Sequence, residues 1–182
     1  MRIDTISLQI KNGEYFTFLS PTEEHAHDVL NHMKQTSSET EYLLRYEDEI
    51  RMTVEEEQDF LSKQAESPKA IMISAYFDEK LVALTGISPV VECDKCSHRA
   101  VLGMCVLKDF WGKGIGFTIM GMIIDEARKM GYEQVELEVV ADNIRAFSLY
   151  KKFGFEIYGV RKNSFKYRDG RYSSEYLMAL PL

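Results

Sequence analysis

No apolar run in the chain approaches the roughly 18 residues needed to cross a bilayer, which excludes a transmembrane helix. The opening stretch, MRIDTISLQI, alternates polar and apolar residues and has no apolar core of an export signal. Cysteine is scarce, three in 182 residues, and without an export signal the expected compartment is the cytoplasm. Positive charge is in deficit: 22 Lys and Arg face 29 Asp and Glu, a net charge of −7. That balance argues against a nucleic-acid binder and favours cationic partners. Repeats, low-complexity tracts and linkers are missing too. The length is that of one domain, able to bury roughly two thirds of its unfolded surface.

What is present is organised around Val101 to Met130, VLGMCVLKDFWGKGIGFTIMGMIIDEARKM. An apolar strand-like run (Val101, Leu102, Met104 to Leu107) meets a polar bend at Lys108-Asp109 and then a glycine-dense loop. A helix follows, with Ile115, Ile119, Met122, Ile123 and Ala127 at helical spacing, ending near Gly131. Glycines at 112, 114 and 116 let backbone N–H groups approach a ligand, and the helix N-terminus adds free donors and a positive dipole end. The stretch therefore reads as an anion site. It is not a P-loop, because the gap and the closing Lys-Ser/Thr are absent. The dinucleotide pattern fails as well, since its last glycine would fall on Phe117 or Ile119.

Before this stretch, residues 2–19 read as a hairpin about Asn12-Gly13, and Ser20 to Glu24 as a helix start. Gln35 to Thr40 reads as a polar connection, and Thr53 with Glu56 as the capping box of a second helix. Strands are expected at 70–77 and 81–91 around an Asp78-Glu79-Lys80 turn. After it come a strand at 135–140 with Glu136 and Glu138 facing away from the core, a helix capped at Asp142-Asn143, and two strands about Asp169-Gly170. The expected fold class is α/β: a single domain with a mixed twisted sheet of about seven strands flanked by about four helices.

The motifs together resemble the GNAT acetyltransferases. WGKGIG is similar to that family's pyrophosphate loop, Gln/Arg-x-x-Gly-x-Gly/Ala, with Gly114 and Gly116 matching and Trp111 at the position of the Gln or Arg. ADNIRAFSLYKKFGF resembles its second signature, in which Asn143 and Tyr150 lie seven residues apart, about two helical turns. The resemblance covers roughly residues 81–180. It implies acetyl-CoA as co-substrate, held by Gly112, Lys113, Gly114, Ile115, Gly116 and Phe117 at the loop. Backbone groups of Met104, Cys105 and Val106 would pair with the pantetheine like an added strand, Asn143 would bond it, and Tyr150 would face the sulfur. Residues 1–70 would form the acceptor side and 71–182 the coenzyme side of the single domain.

Acyl transfer to an amine needs a base, an oxyanion donor and a proton for the departing thiolate. A backbone N–H at Cys105 or Val106 can serve as the donor, and Tyr150 is the expected acid. The base is open among His98, Glu39, Glu41 and water, because the position where many relatives carry Glu is Leu102. Cys93-x-x-Cys96-x-His98 offers three of the four ligands of a structural zinc site and no second C-x-x-C or H-x-x-x-H completes it, so no metal is expected. The reading is an acetyl-CoA-dependent N-acetyltransferase acting on a small cationic amine, with no nucleic-acid or membrane partner and with a homodimer compatible. Its rivals are a protein N-terminal or lysine acetyltransferase and a CoA-binding regulatory module without turnover.

Overall fold

The computed structural model describes residues 1–11 and 13–182. Strands β1 (Ile6–Gln9) and β2 (Tyr15–Leu19) form the N-terminal hairpin. Of its expected turn pair, Asn12 lies outside the described residues; Gly13 is left-handed (φ +87°), the conformation glycine adopts at no steric cost. A 3₁₀ turn at Glu23–His25 leads into α1 (Ala26–Glu39). The expected polar connection at Gln35–Thr40 is helical as far as Glu39. Polarity misled here because His32 and Thr36 are buried yet satisfied, Thr36 Oγ1 donating to His32 O at 2.8 Å. The capping box is present at the start of α2 (Val54–Glu66): Thr53 Oγ1 accepts from Glu56 N at 3.2 Å, and Glu56 Oε2 from Thr53 N at 2.8 Å.

β3 (Ile71–Phe77) and β4 (Lys80–Pro89) follow, joined at Asp78-Glu79, both with positive φ, so Lys80 belongs to the strand rather than the turn. Then come β5 (Arg99–Val106), α3 (Ile115–Lys129), β6 (Gln134–Val140) and α4 (Ile144–Lys152). β7 (Glu156–Lys166) and β8 (Tyr172–Pro181) close the chain. One eight-stranded sheet has the order β1-β2-β3-β4-β5-β6-β8-β7. Eight strands replace the expected seven or so because both arms of the N-terminal hairpin join the sheet. Among the described residues only β5 and β6 run parallel; every other neighbouring pair is antiparallel.

Both faces of the sheet are covered. Ile115, Ile119, Met120, Ile123 and Ala127 of α3 pack with Phe16, Ile73, Leu102, Leu137 and Met178 in the larger core. Val29 of α1 and Leu61 of α2 pack with Leu81 and Leu84 in the smaller one. β4 therefore buries both faces and anchors its neighbours. Of the two glutamates expected to face outward on β6, Glu138 does so, but Glu136 is only 6% exposed. Arg99 covers it, Nη2 donating to Oε2 at 2.8 Å, and Gln134 Nε2 donates to Oε1 at 2.7 Å. A charge on a sheet face is tolerated when it is paired and hydrogen-bonded in this way.

Glu57 lacks such partners: it is 2% exposed on α2 and its Oε1 has no hydrogen bond. Burial pushes its carboxyl up to about 7. A folded-state value above the unfolded one stabilises the fold below about pH 4.5, and that contribution is lost as pH rises through 7. We expect Glu57→Gln to flatten the pH dependence between these values. At pH 8 the variant should be more stable than wild type by about 2–3 kcal/mol, measured by urea unfolding at pH 5 and 8.

Candidate active site

Two parallel strands part to make a cleft. β5 and β6 are paired only from Arg99–Val101 against Gln134–Glu136. Beyond this, β5 stays bonded to β4 as far as Val106 and β6 to β8 as far as Val140. Each strand is held from its outer side, so the gap between them stays open. The β6-facing edge of Leu102–Val106 has no strand partner there. The opening widens into a cleft of about 730 Å³, within the usual range for small-molecule sites.

The structure brings ten of the eleven expected site residues to this cleft. Met104, Cys105, Val106, Gly112, Gly114, Ile115, Gly116, Phe117, Asn143 and Tyr150 line it. Lys113 does not; its Nζ lies over the Phe110 ring, 4.6 Å from the centroid. Gly112 (φ +77°) and Gly114 (φ +97°) hold left-handed conformations that aim the loop backbone into the cleft. Gly114 is the N-cap of α3, no side chain caps this helix, and no acid occupies its first turn. Its free donors and dipole are thus available to an anion. At Gly116 an added Cβ would only touch Leu149, Met104 and Val106 at 3.5–4.0 Å, so a methyl group fits without displacing backbone.

Asn143 caps α4, its Oδ1 accepting from Ala146 N at 3.1 Å, which leaves its amide N–H groups for the cleft. Tyr150 is 6% exposed. Burial, then the nearby Cys105, pushes its hydroxyl up to about 12, so it keeps its proton throughout the neutral range. Cys105 Sγ lies 3.4 Å from His32 Nε2, and His32 Nδ1 lies 3.3 Å from Leu81 O. A carbonyl can only accept, so Nδ1 carries the ring proton and Nε2 accepts from the thiol. Burial raises the thiol to about 12 and lowers the imidazole to about 4. The pair is neutral, which does not make a nucleophile.

The three side chains considered as bases lie elsewhere. His98 precedes β5, at the end where β5 and β6 are still paired, and its carbonyl accepts from Glu133 N and Gln134 N. Glu39 accepts from Lys108 N at 2.7 Å, and Glu41 is paired with Arg171 at 3.0 Å. Two other carboxylates do line the cleft, Glu138 on β6 and Glu175 on β8. Arg161 joins them, bonding both Glu138 oxygens at 2.7 Å and Glu175 Oε2 at 3.1 Å. Two carboxylates on one guanidinium leave a net negative charge facing the cavity. Sequence pattern put Glu138 on the outward face of β6; the parting of the strands turns that face into a wall.

Tyr42, Leu43 and Leu44, from the connection between α1 and α2, complete the lining with Phe165 of β7. That connection is pinned to the β7–β8 turn. Arg168 Nη2 bonds both oxygens of Asp48 at 2.7 and 2.8 Å, and its guanidinium lies 4.0 Å from the Tyr46 ring centroid. Cys93 and Cys96 sit near a separate 3₁₀ turn (Asp94–Cys96), away from the cleft. Among the described residues no group of three His, Cys, Asp or Glu side chains converges as a metal site.

With this geometry, comparison with known proteins is direct. The sequence profile of the acetyltransferase (GNAT) family matches residues 27–155. The chain belongs to that family. It is 36% identical over 84 residues to an L-amino acid N-acetyltransferase of Escherichia coli, covering 46% of this chain and 51% of that protein. It is 34% identical over 85 residues to the ribosomal protein bS18-alanine N-acetyltransferase of Escherichia coli, covering 47% and 57%. The chain thus spans about half the length of these curated relatives. A GNAT-family acetyltransferase structure from Streptococcus pneumoniae superposes with a TM-score of 0.88 at 26% identity, over 92% of this chain and 99% of that one.

The thiols offer a check on this geometry. In reduced native protein at pH 8, the exposed Cys93 should react promptly with a disulfide reagent, and Cys96, half-buried and with its thiol raised by the hydrogen bond to Cys93, more slowly. Cys105, half-buried on the cleft wall and ionised to only about one part in 10⁴ at its raised value, should be the slowest of the three until the protein is denatured. Three prompt thiols would contradict the protonated state described for Cys105.

Proposed function

We propose that this protein transfers an acetyl group from acetyl-CoA directly to a primary amine, and that the acceptor is a small cationic amine. One observation carries the reading: a single cleft joins a backbone-donor loop, a buried phenol and a pair of carboxylates. In this reading the Gly112–Phe117 loop holds the diphosphate and the free edge of Met104–Val106 pairs with the pantetheine. Asn143 donates to the same arm, and residues 1–70 supply the acceptor side. The bound thioester supplies an activated acyl group. The N–H of Val106 donates to its oxygen as negative charge develops there, whereas Cys105, a hydrogen-bonded partner of Leu84 in the β4–β5 ladder, turns its own N–H away from the cleft.

Glu138 and Glu175 attract the protonated amine and, through water, draw off its proton as the bond to the acyl carbon forms. They take the role for which His98, Glu39 and Glu41 were candidates. Their shared Arg161 neutralises one of the two charges, so a cation gains more here than an acceptor bearing its own carboxylate. Tyr150 gives the departing sulfur a hydrogen bond. Full proton transfer from a phenol near 12 to a thiolate near 8.5 is uphill, so the hydrogen bond itself is the main contribution.

A second reading has a specific observation behind it. Leu44 is 76% exposed at the cleft beside Tyr42 and Leu43, an apolar rim suited to a polypeptide acceptor. One relative's name specifies a ribosomal-protein alanine. Thiol release from acetyl-CoA, measured with di- and polyamines, free amino acids, and N-terminal and lysine peptides, separates these readings. We expect the amines without carboxylates to lead. Faster release with peptides would transfer the assignment to a polypeptide acceptor. CoA binding without release for any amine would leave a regulatory module.

Tyr150→Phe keeps the ring and removes one hydroxyl. With a good acceptor, kcat should fall by about 10²–10³, the scale of losing one donor to developing charge, while acetyl-CoA affinity and the unfolding midpoint hold. A defect confined to KM would make Tyr150 a wall of the pocket only.

A further inference from the structure

The glycine loop departs from the family pattern at Trp111, the only tryptophan of the chain. Its indole Nε1 donates to Val106 O at 2.7 Å, which fixes the ring at the end of β5. The Arg145 guanidinium, from the first turn of α4, lies over that ring, 5.1 Å from its centroid. From there Arg145 overhangs the loop: a Cβ built on Gly112 would stand 3.6 Å from its Nη1. Arg145 also lines the cleft. It has no ion pair among the described residues, although the chain carries seven more acids than bases. Arg161, Arg168 and Arg171, by contrast, are all held by carboxylates.

A guanidinium resting on an aromatic ring stays charged, loses little orientational freedom on binding, and presents its N–H fork to an incoming anion. Here that fork faces the same space as the N–H groups of a left-handed glycine loop. We propose that Arg145, positioned by Trp111, binds the diphosphate of the coenzyme and supplies the side-chain contact missing at position 111. The inference rests on the coenzyme reading above. Trp111 acts as a positioning residue, its ring a platform and its indole N–H an anchor, and Arg145 touches the ligand.

Three ligands test this on the full chain: CoA, dephospho-CoA, which keeps the diphosphate and lacks the 3′-phosphate, and pantetheine, which lacks both. Binding of the first two is measured by calorimetry and of pantetheine by ligand-observed NMR. Arg145→Ala should weaken CoA and dephospho-CoA alike by about 10- to 100-fold, the scale of a lost charge-assisted hydrogen bond, and leave pantetheine unchanged. Arg145→Lys should recover part of the loss. Trp111→Leu should show a smaller loss with the same preference among ligands. No loss with CoA, or an equal loss with pantetheine, would overturn the inference and leave the coenzyme reading standing. A loss with CoA but not with dephospho-CoA would overturn it too, by assigning the contact to the 3′-phosphate. Wild-type protein that binds none of the three would overturn both.

Discussion

The site depends on two parallel strands that are prevented from pairing. Backbone donors and acceptors ordinarily find partners, and a gap in the middle of a sheet is costly unless something else fills it. β4 holds β5 along its whole length, and β8 holds β6. Each hold has its own core behind it, since β4 is buried on both faces and Met178 of β8 and Val135 and Leu137 of β6 lie in the larger core. The missing rungs between β5 and β6 are therefore a fixed feature of the fold. An extended amide-bearing ligand is the natural occupant of an open strand position, which is the shape of a pantetheine arm.

Charge is sorted around this opening. On the hairpin side, Arg161, Arg168 and Arg171 are bound by Glu138 and Glu175, Asp48, and Glu41 with Asp169. At the glycine loop Lys11, Lys113 and Arg145 rest on Phe117, Phe110 and Trp111 and have no carboxylate within ion-pair reach among the described residues. Exposed ion pairs contribute little to stability, about 0–1 kcal/mol each. Their effect here is on position: they fix the connection between α1 and α2 beside the cleft and leave the acidic pair one charge in excess. Cations supported by aromatic rings stay available to an anionic ligand. A protein of net charge −7 in this way keeps, among the described residues, an unpaired guanidinium and an acidic pair on the lining of one cleft.

The sequence revealed what local conformation demands. Gly112 and Gly114 must be left-handed, Asn143 must cap, and α3 must bury one stripe, so the loop, the cap and the helix were legible from residue types alone. What escaped depends on strands that are distant in sequence. Glu138 sits on the outward face by alternation, and only the parting of β5 from β6 makes that face a cleft wall. Glu175 enters through its pairing with Val140 across β6 and β8. Arg145 is unremarkable in α4 until Trp111, from another segment, lies under it. His98 does not line the cleft because a strand has two ends, and it lies by the closed one.

The chemistry available at the centre is of one kind. Cys105 and His32 form a hydrogen-bonded pair beside Tyr150, but burial keeps both neutral, the thiol near 12 and the imidazole near 4. A covalent acyl-thiol route would have to form a thiolate in that environment, about five units above neutral pH, before reaction began. The same burial keeps Tyr150 protonated, and a neutral phenol in a dry setting is a strong hydrogen-bond donor to a forming anion. Burial thus suppresses the nucleophile and strengthens the donor at once. The groups at the waist of the cleft can stabilise a sulfur that leaves but cannot attack an acyl group that arrives, and that asymmetry favours direct transfer to the amine.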